Sequence, residues 1–231
     1  MSADRWKRTI ALLGKEKAER VFATSVMVIG CGAVGGYALE MLARLGVGKI
    51  WAVDFDTFEE SNINRQILAL TDTLGRKKAE VAKERILAIN PEAQVTAMDL
   101  KVTKDNLNFL LEEKPDFVID AIDDVAAKCE LIKFMVEHKI KSYSSMGAAL
   151  KFNPGLLKPA TLDKTSGCRL AKKLREMLKK QHVDLHKVHC VFSTEEVTHC
   201  KDENGNNILG SLALVPAAMG IRLAEQVFEQ I

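Results

Sequence analysis

Gly30-Cys31-Gly32-Ala33-Val34-Gly35-Gly36 follows the apolar run Val26–Ile29 and precedes a segment, Val34–Leu45, with helical periodicity. Strand, glycine turn and helix in that order are the context in which a G-x-G-x-x-G pattern carries meaning. The glycines let the backbone turn tightly and approach a phosphate, and the start of the helix adds partial positive charge. The next apolar run closes on Asp54, where a carboxylate can accept hydrogen bonds from ribose hydroxyls, and Asp56 follows two residues on. Gly30, Gly32, Gly35, Asp54 and Asp56 are therefore read as a nucleotide site. A Rossmann turn without a ligand is the competing reading, and the acidic residue at the second strand's end argues against it.

Ser61-Asn62-Ile63-Asn64-Arg65-Gln66 narrows the chemistry. A nicotinamide dehydrogenase mainly orients its cofactor and needs no arginine there, so it explains Gly30 to Asp54 and nothing later. Asn62 and Arg65 fall beside the phosphate site, and an arginine aimed at a triphosphate suggests that the triphosphate itself reacts. Lys77 and Lys78 lie in the first turn of a helix expected over 75–90, where the dipole disfavours cations; an anionic ligand would relieve that conflict.

Working outward, the 231 residues are 28% charged and 47% hydrophobic with a net charge of +2, an ordinary globular composition that does not by itself imply a nucleic-acid partner. The N-terminus lacks the apolar core of a signal peptide, and no apolar run is long enough to span a bilayer. Five scattered cysteines read as reduced thiols, so a cytoplasmic location is expected. Helical segments are expected over 5–20 (with a break at Gly14), from Thr103 as cap to Glu113, over 125–137, over 166–180 and over 210–230. Strands are expected at 50–54, 94–98, 117–119, near Ser142, at 189–193, and as two or three short pieces between Leu150 and Leu162. That alternation predicts an α/β fold, a Rossmann-like, doubly wound, mainly parallel sheet in one domain over 1–231. Its core spans about 21–147, and an additional C-terminal β/α region spans about 148–231.

Ligands of open α/β sheets bind at the carboxyl ends of strands, where Asp54 and Asp56 on one strand and Asp120 and Asp123 on another converge with Asn62, Arg65 and Lys78. Lys78 and Arg65 would neutralise phosphate charge, and Asp123 could hold Mg²⁺. Asp120 is a second candidate, and Asp124 is read as a helix cap.

These motifs, with Gly75-x-x-Lys78 and Asp120-x-x-Asp123, resemble the adenylation domain of the ubiquitin-activating-enzyme superfamily. The resemblance covers most of the chain. It implies activation of a carboxylate by MgATP as an acyl adenylate, with Asp54 and the glycines at the nucleoside, Asn62, Arg65 and Lys78 at the phosphates and Asp123 at the magnesium. Arg5-x-x-Arg8 is similar to an N-terminal arginine pair whose second member, Arg8, reaches the ATP of the other subunit of a homodimer. The two Cys-x-x-Cys pairs of the sulfur-carrier enzymes are absent, so no structural zinc is expected. Asp163 to Arg175, Val191-Phe-Ser193-Thr-Glu195 and Gly210 to Gly220 instead resemble the tRNA threonylcarbamoyladenosine dehydratase family. In that family ATP activates the threonine carboxylate of N6-threonylcarbamoyladenosine and the neighbouring ureido group closes a ring with net loss of water. The substrate brings its own attacking group, so no enzyme nucleophile is required. Many relatives carry Asp-Pro where Cys168-Arg169 stands. The rival functions are adenylation of a ubiquitin-like or sulfur-carrier protein and, from another class, a non-catalytic scaffold for a sulfur-transfer partner.

Seven Lys or Arg residues fall between Lys164 and Lys180 against Glu176 alone. Lys172, Lys173 and Arg175 are nominated to bind RNA, with Leu170, Leu174, Met177 and Leu178 as the buried stripe; a solvated amphipathic helix is the plainer alternative. His182 and His186 have a chelating spacing but no cysteine pair to anchor a metal. Cys31 is read as packing, and Cys168 as a thiol that a sulfur-accepting role would use.

Overall fold

The computed structural model describes residues 3–231. Helices α1 (Ala3–Leu13) and α2 (Lys15–Ala23) are divided at Gly14, whose φ of 77° leaves the helical region. Strand β1 (Ser25–Ile29) leads through the glycine turn into α3 (Gly35–Leu45), which Gly46 ends in the left-handed conformation at φ 90°. There follow β2 (Lys49–Val53), α4 (Lys78–Ile89), β3 (Gln94–Met98), α5 (Phe109–Glu113), β4 (Phe117–Asp120), α6 (Val125–Glu137) and β5 (Ser142–Ser145). The C-terminal part adds β6 (Leu157–Thr161), α7 (Arg169–Lys180), β7 (His189–Ser193) and α8 (Leu214–Phe228).

The seven strands among the described residues form one sheet in the order β3-β2-β1-β4-β5-β7-β6, parallel except for the antiparallel β6–β7 pair. The alternation along β1 shows why it sits at the centre. Val26 and Val28 face a core with α3, α4 and α8, while Met27 and Ile29 face a second core with α5, α6 and α7. A strand buried on both faces needs apolar residues at every position, hence the unbroken run. The sheet order reverses between β1 and β4, which opens a crevice at their carboxyl ends.

Several local expectations change; α4, for one, starts at Lys78, with Lys77 in a bridge to Thr57. Thr103 does not cap a helix: its amide donates to Asn106 Oδ1 at 2.9 Å, and this local turn outcompetes helix until Phe109. Only one strand, β6, forms between Leu150 and Leu162, because the Glu195 carboxylate takes the amides of Phe152 and Asn153 that a further strand would need. Helix α7 starts at Arg169, since Gly167 is left-handed at φ 67°. Helix α8 starts at Leu214, since Gly210 O is engaged by the amide of Leu150.

Glycine is obligatory at two points of the turn. A β-carbon on Gly35 would lie 1.7 Å from Gly30 O, and one on Gly30, at φ 93°, would lie 2.8 Å from the Ala121 carbonyl. Both neighbours are backbone and cannot yield. Gly35→Ala is expected to lower stability by more than the ~1–3 kcal/mol typical of overpacking. Denaturant unfolding checks this, and a parent-like midpoint would show that the turn is not sterically closed.

Candidate functional site

A cavity of about 690 Å³ opens at the carboxyl ends of β1, β2, β4 and β5. Its first wall is built by Gly30, Gly32, Ala33 and Val34 of the glycine turn with Asp54, Asp56, Arg65 and Lys78; Asp123 and Asp124 follow β4. Its second wall is the stretch Ser145–Lys151 after β5, with Cys168–Leu170 at the start of α7, and Val197, Leu209 and Ser211 from the long connection before α8.

The Asp54 carboxylate is held by two backbone amides, Cys31 N at 2.7 Å and Asp56 N at 2.9 Å. Burial pushes its carboxyl above the usual range, against those two bonds and the Lys78 charge, which lower it. Each oxygen keeps a second lone pair for a ribose hydroxyl. Lys78 is buried, with Nζ 3.2 Å from Asp56 Oδ2. Arg65 spends one nitrogen, Nη1, on Ser61 O at 2.7 Å and Asn64 Oδ1 at 2.8 Å. A guanidinium has five N–H donors, so the arginine is fixed at one corner and free at the others. Cys31 is fully buried beneath the turn, its thiol pushed well up by burial and then by the Asp54 charge, as fits a packing role.

Several nominated residues are elsewhere. Gly35 is not in the cavity wall; its lack of a side chain serves the packing of α3 on the turn. Asn62, expected at the phosphates, is also absent from the wall. Its Oδ1 accepts from Glu59 N at 3.2 Å, and its backbone oxygen accepts from Arg65 N and Gln66 N, so it shapes the turn that carries Arg65. Asp120 is fully buried against Lys128 instead of facing the cavity. Arg8 is exposed on α1 and does not reach the cavity of its own chain, while Arg5 donates to Ile89 O at 2.6 Å. On α7, Lys172 and Lys173 face solvent, whereas Arg175 is half-buried and its Nη1 donates to the backbone and side chain of Thr165.

Sequence reasoning passed over Gln66, Lys101, the Ser145–Lys151 stretch and Arg169. Gln66 is buried in the wall, and its Oε1 has no hydrogen-bond partner among the described residues. Lys101 and Ser145–Lys151 follow β3 and β5, so the strand-end rule that selected Asp54 would have found them. Cys168 caps α7 as a buried residue: Ala171 N lies 3.5 Å and Gly147 N 3.4 Å from its sulfur.

Among the described residues no group of three or more His, Cys, Asp or Glu side chains is placed to hold a metal ion, and His186 pairs with Asp163 at 3.1 Å. Asp123 suits a hard cation shared with a phosphate: it is exposed at the cavity and makes no hydrogen bond or ion pair among the described residues. No helix among them is long and apolar enough to cross a membrane.

The family model described as ThiF family matches residues 6–230. The chain is 41% identical over 207 residues to the Escherichia coli (strain K12) protein named tRNA threonylcarbamoyladenosine dehydratase, covering 85% of this chain and 77% of that protein. It is 38% identical over 190 residues to the Bacillus subtilis (strain 168) protein of the same name, covering 82% and 74%. The solved structure of the E. coli dehydratase in complex with ATP superposes with a TM-score of 0.91 at 36% identity, over 99% of this chain and 93% of that one.

Gly32 offers a clean probe of the cavity. A β-carbon there would meet nothing nearer than the Gln66 side chain at 3.8 Å, so the fold tolerates it, yet the residue lines the cavity. Gly32→Ala should therefore melt like the parent and bind ATP at least about tenfold more weakly, an effect of about 1.4 kcal/mol. Calorimetric titration alongside a melting curve checks both, and unaltered affinity would move the nucleotide away from this turn.

Proposed function

The chain belongs to the ThiF family, and from that premise we propose that it catalyses the ATP-dependent cyclising dehydration of N6-threonylcarbamoyladenosine in tRNA through a carboxyl adenylate. One observation carries the reading. A single cavity joins the glycine turn, Arg65, Lys78 and Asp123 to the foot of the basic helix α7, so a nucleotide and a base presented by RNA would meet inside it.

The threonine carboxylate of the substrate attacks the α-phosphorus of ATP; the bond to the β-phosphate oxygen breaks and pyrophosphate leaves. The ureido group then attacks the activated carbonyl, AMP departs and a proton is lost, closing the ring without an enzyme nucleophile. Gly30 and Gly32 admit the phosphates and Asp54 orients the ribose. Arg65 meets the charge that develops at the α-phosphorus with its unspent donors, and Lys78, released in part from Asp56, meets the leaving pyrophosphate. Asp123 would hold Mg²⁺, which supplies neutralisation of the phosphate oxygens when bound. The exposed Lys172 and Lys173 draw in the RNA backbone. Arg8 is proposed to complete the site of a second copy in a homodimer. Its exposure and its absence from the wall of its own cavity support that reading, as does the exposed Leu209, an apolar side chain at the cavity. A cytoplasmic location is part of this proposal, in keeping with a tRNA substrate.

The test is ATP–pyrophosphate exchange. Threonylcarbamoyladenosine-bearing tRNA should stimulate it, and a ubiquitin-like or sulfur-carrier protein should not; the reverse pattern would transfer the activity to a protein substrate. Arg65→Ala should slow exchange by roughly two to three orders of magnitude with a smaller loss of ATP affinity.

Replacing Lys172 and Lys173 together by Glu should weaken tRNA binding and flatten its dependence on salt, because fewer counterions are displaced. ATP affinity should stay as it was. Filter binding across a salt series reads the slope, and an unchanged slope would return α7 to an ordinary solvated helix.

A further inference from the structure

Lys128 and Asp120 form an ion pair in which both side chains are 0% exposed, with Nζ 2.8 Å from Oδ1. A buried lysine is rare, and an apolar pair of similar volume is commonly at least as stable, so stability alone does not explain its presence. The further bonds of the ammonium do. It also donates to Ile122 O at 3.0 Å and to Asp120 O at 3.4 Å, while Asp120 Oδ1 accepts from Ile122 N at 3.3 Å. One cation in the first turn of α6 thus gathers the start of the connection that leaves β4.

The other end of that connection is fixed independently. Asp124 caps α6 by accepting from Ala127 N at 2.8 Å, and its backbone oxygen accepts from Lys128 N at 2.9 Å. The near side is held against the glycine turn, with Ala121 N 2.8 Å from Ile29 O. Asp123 lies between these fixings. Its carboxylate is free among the described residues and lines the cavity, whereas Lys128 has no exposed surface and does not. Lys128 therefore reaches the cavity only through the backbone it holds.

We infer that Lys128, through Asp120 and the Ile122 carbonyl, is a positioning residue for the reaction: it sets where the Asp123 carboxylate stands at the nucleotide site. This rests on the reading that Asp123 binds the magnesium of MgATP. Removing Lys128 alone would strand a buried carboxylate and could unfold the chain, so the pair is removed together as Lys128→Met with Asp120→Asn, which leaves no unbalanced charge.

The experiment measures ATP binding by calorimetry in EDTA and across a magnesium series, with melting curves, for this pair variant, for Lys128→Arg and for Asp123→Asn as reference. The pair variant should melt within a few degrees of the parent and bind ATP normally in EDTA. It should lose about 10- to 100-fold of the affinity that magnesium confers, as outer partners of metal ligands do when altered. Lys128→Arg, which keeps a charged donor, should recover most of that loss. If the pair variant does not fold, Lys128→Gln with Asp120→Asn, which keeps a neutral donor and strands no charge, takes its place in the same comparison. A folded variant with the full magnesium gain, in a protein where Asp123→Asn abolishes that gain, overturns the positioning role and leaves the metal role of Asp123 standing. A full magnesium gain in Asp123→Asn itself overturns both.

Discussion

The space between Gly30 and Gly35 is too small for any side-chain atom, and the site is arranged around that contact. With Gly30 O 1.7 Å from where a β-carbon on Gly35 would stand, the first turn of α3 lies directly on the first carbonyl after β1. The same turn abuts the backbone of Ala121 after β4, so three backbone segments meet without side chains between them. This brings the amino end of an 11-residue helix to the point where the strand order reverses. A helix start and a strand-order reversal are each weak attractors of anions; placed together they define one phosphate-sized corner.

Charge around that corner is kept partly unspent. Lys78 is balanced by Asp56, so the fold does not bury a bare ammonium. Arg65 is treated differently: Ser61 and Asn64 hold one nitrogen and leave the rest of the fork open. A fully satisfied arginine would have to break bonds before meeting phosphate, and an untethered one would lose rotamer entropy on binding. Tethering at one corner avoids both costs. Asn62 belongs to this account although it never reaches the cavity, because its backbone oxygen receives the amides of Arg65 and Gln66.

The glycine pattern, the acidic strand end and the strand–helix alternation were legible because each follows from local sequence. The mainly parallel sheet and most element limits follow from them: α6 and β7 fall where periodicity puts them, over Val125–Glu137 and His189–Ser193. What escaped depends on partners distant in the chain. Glu195 removes the strand expected near Phe152, and Gly210 gives up a helical start to Leu150. Lys128 sits in an amphipathic helix like any surface lysine, and only the fold places Asp120 behind it. The three α7 cations nominated for RNA looked alike in sequence, yet Arg175 turns inward to Thr165 while Lys172 and Lys173 stay in solvent.

Cys168 shows how an uncommon side chain can occupy a helix cap, a place where Ser, Thr, Asp or Asn is preferred. Here the sulfur takes the capping place, lying within reach of the amides of Ala171 and Gly147. Sulfur is a weaker acceptor than a carboxylate, but α7 does not depend on the cap, because Ala171, Leu174 and Leu178 are fully buried in the core beneath it. The thiol is itself buried and occupied as an acceptor, which argues against a sulfur-accepting role. That fits the reading of the cavity, since a substrate that carries both its carboxylate and its attacking ureido group asks the enzyme for activation and confinement, and no nucleophile.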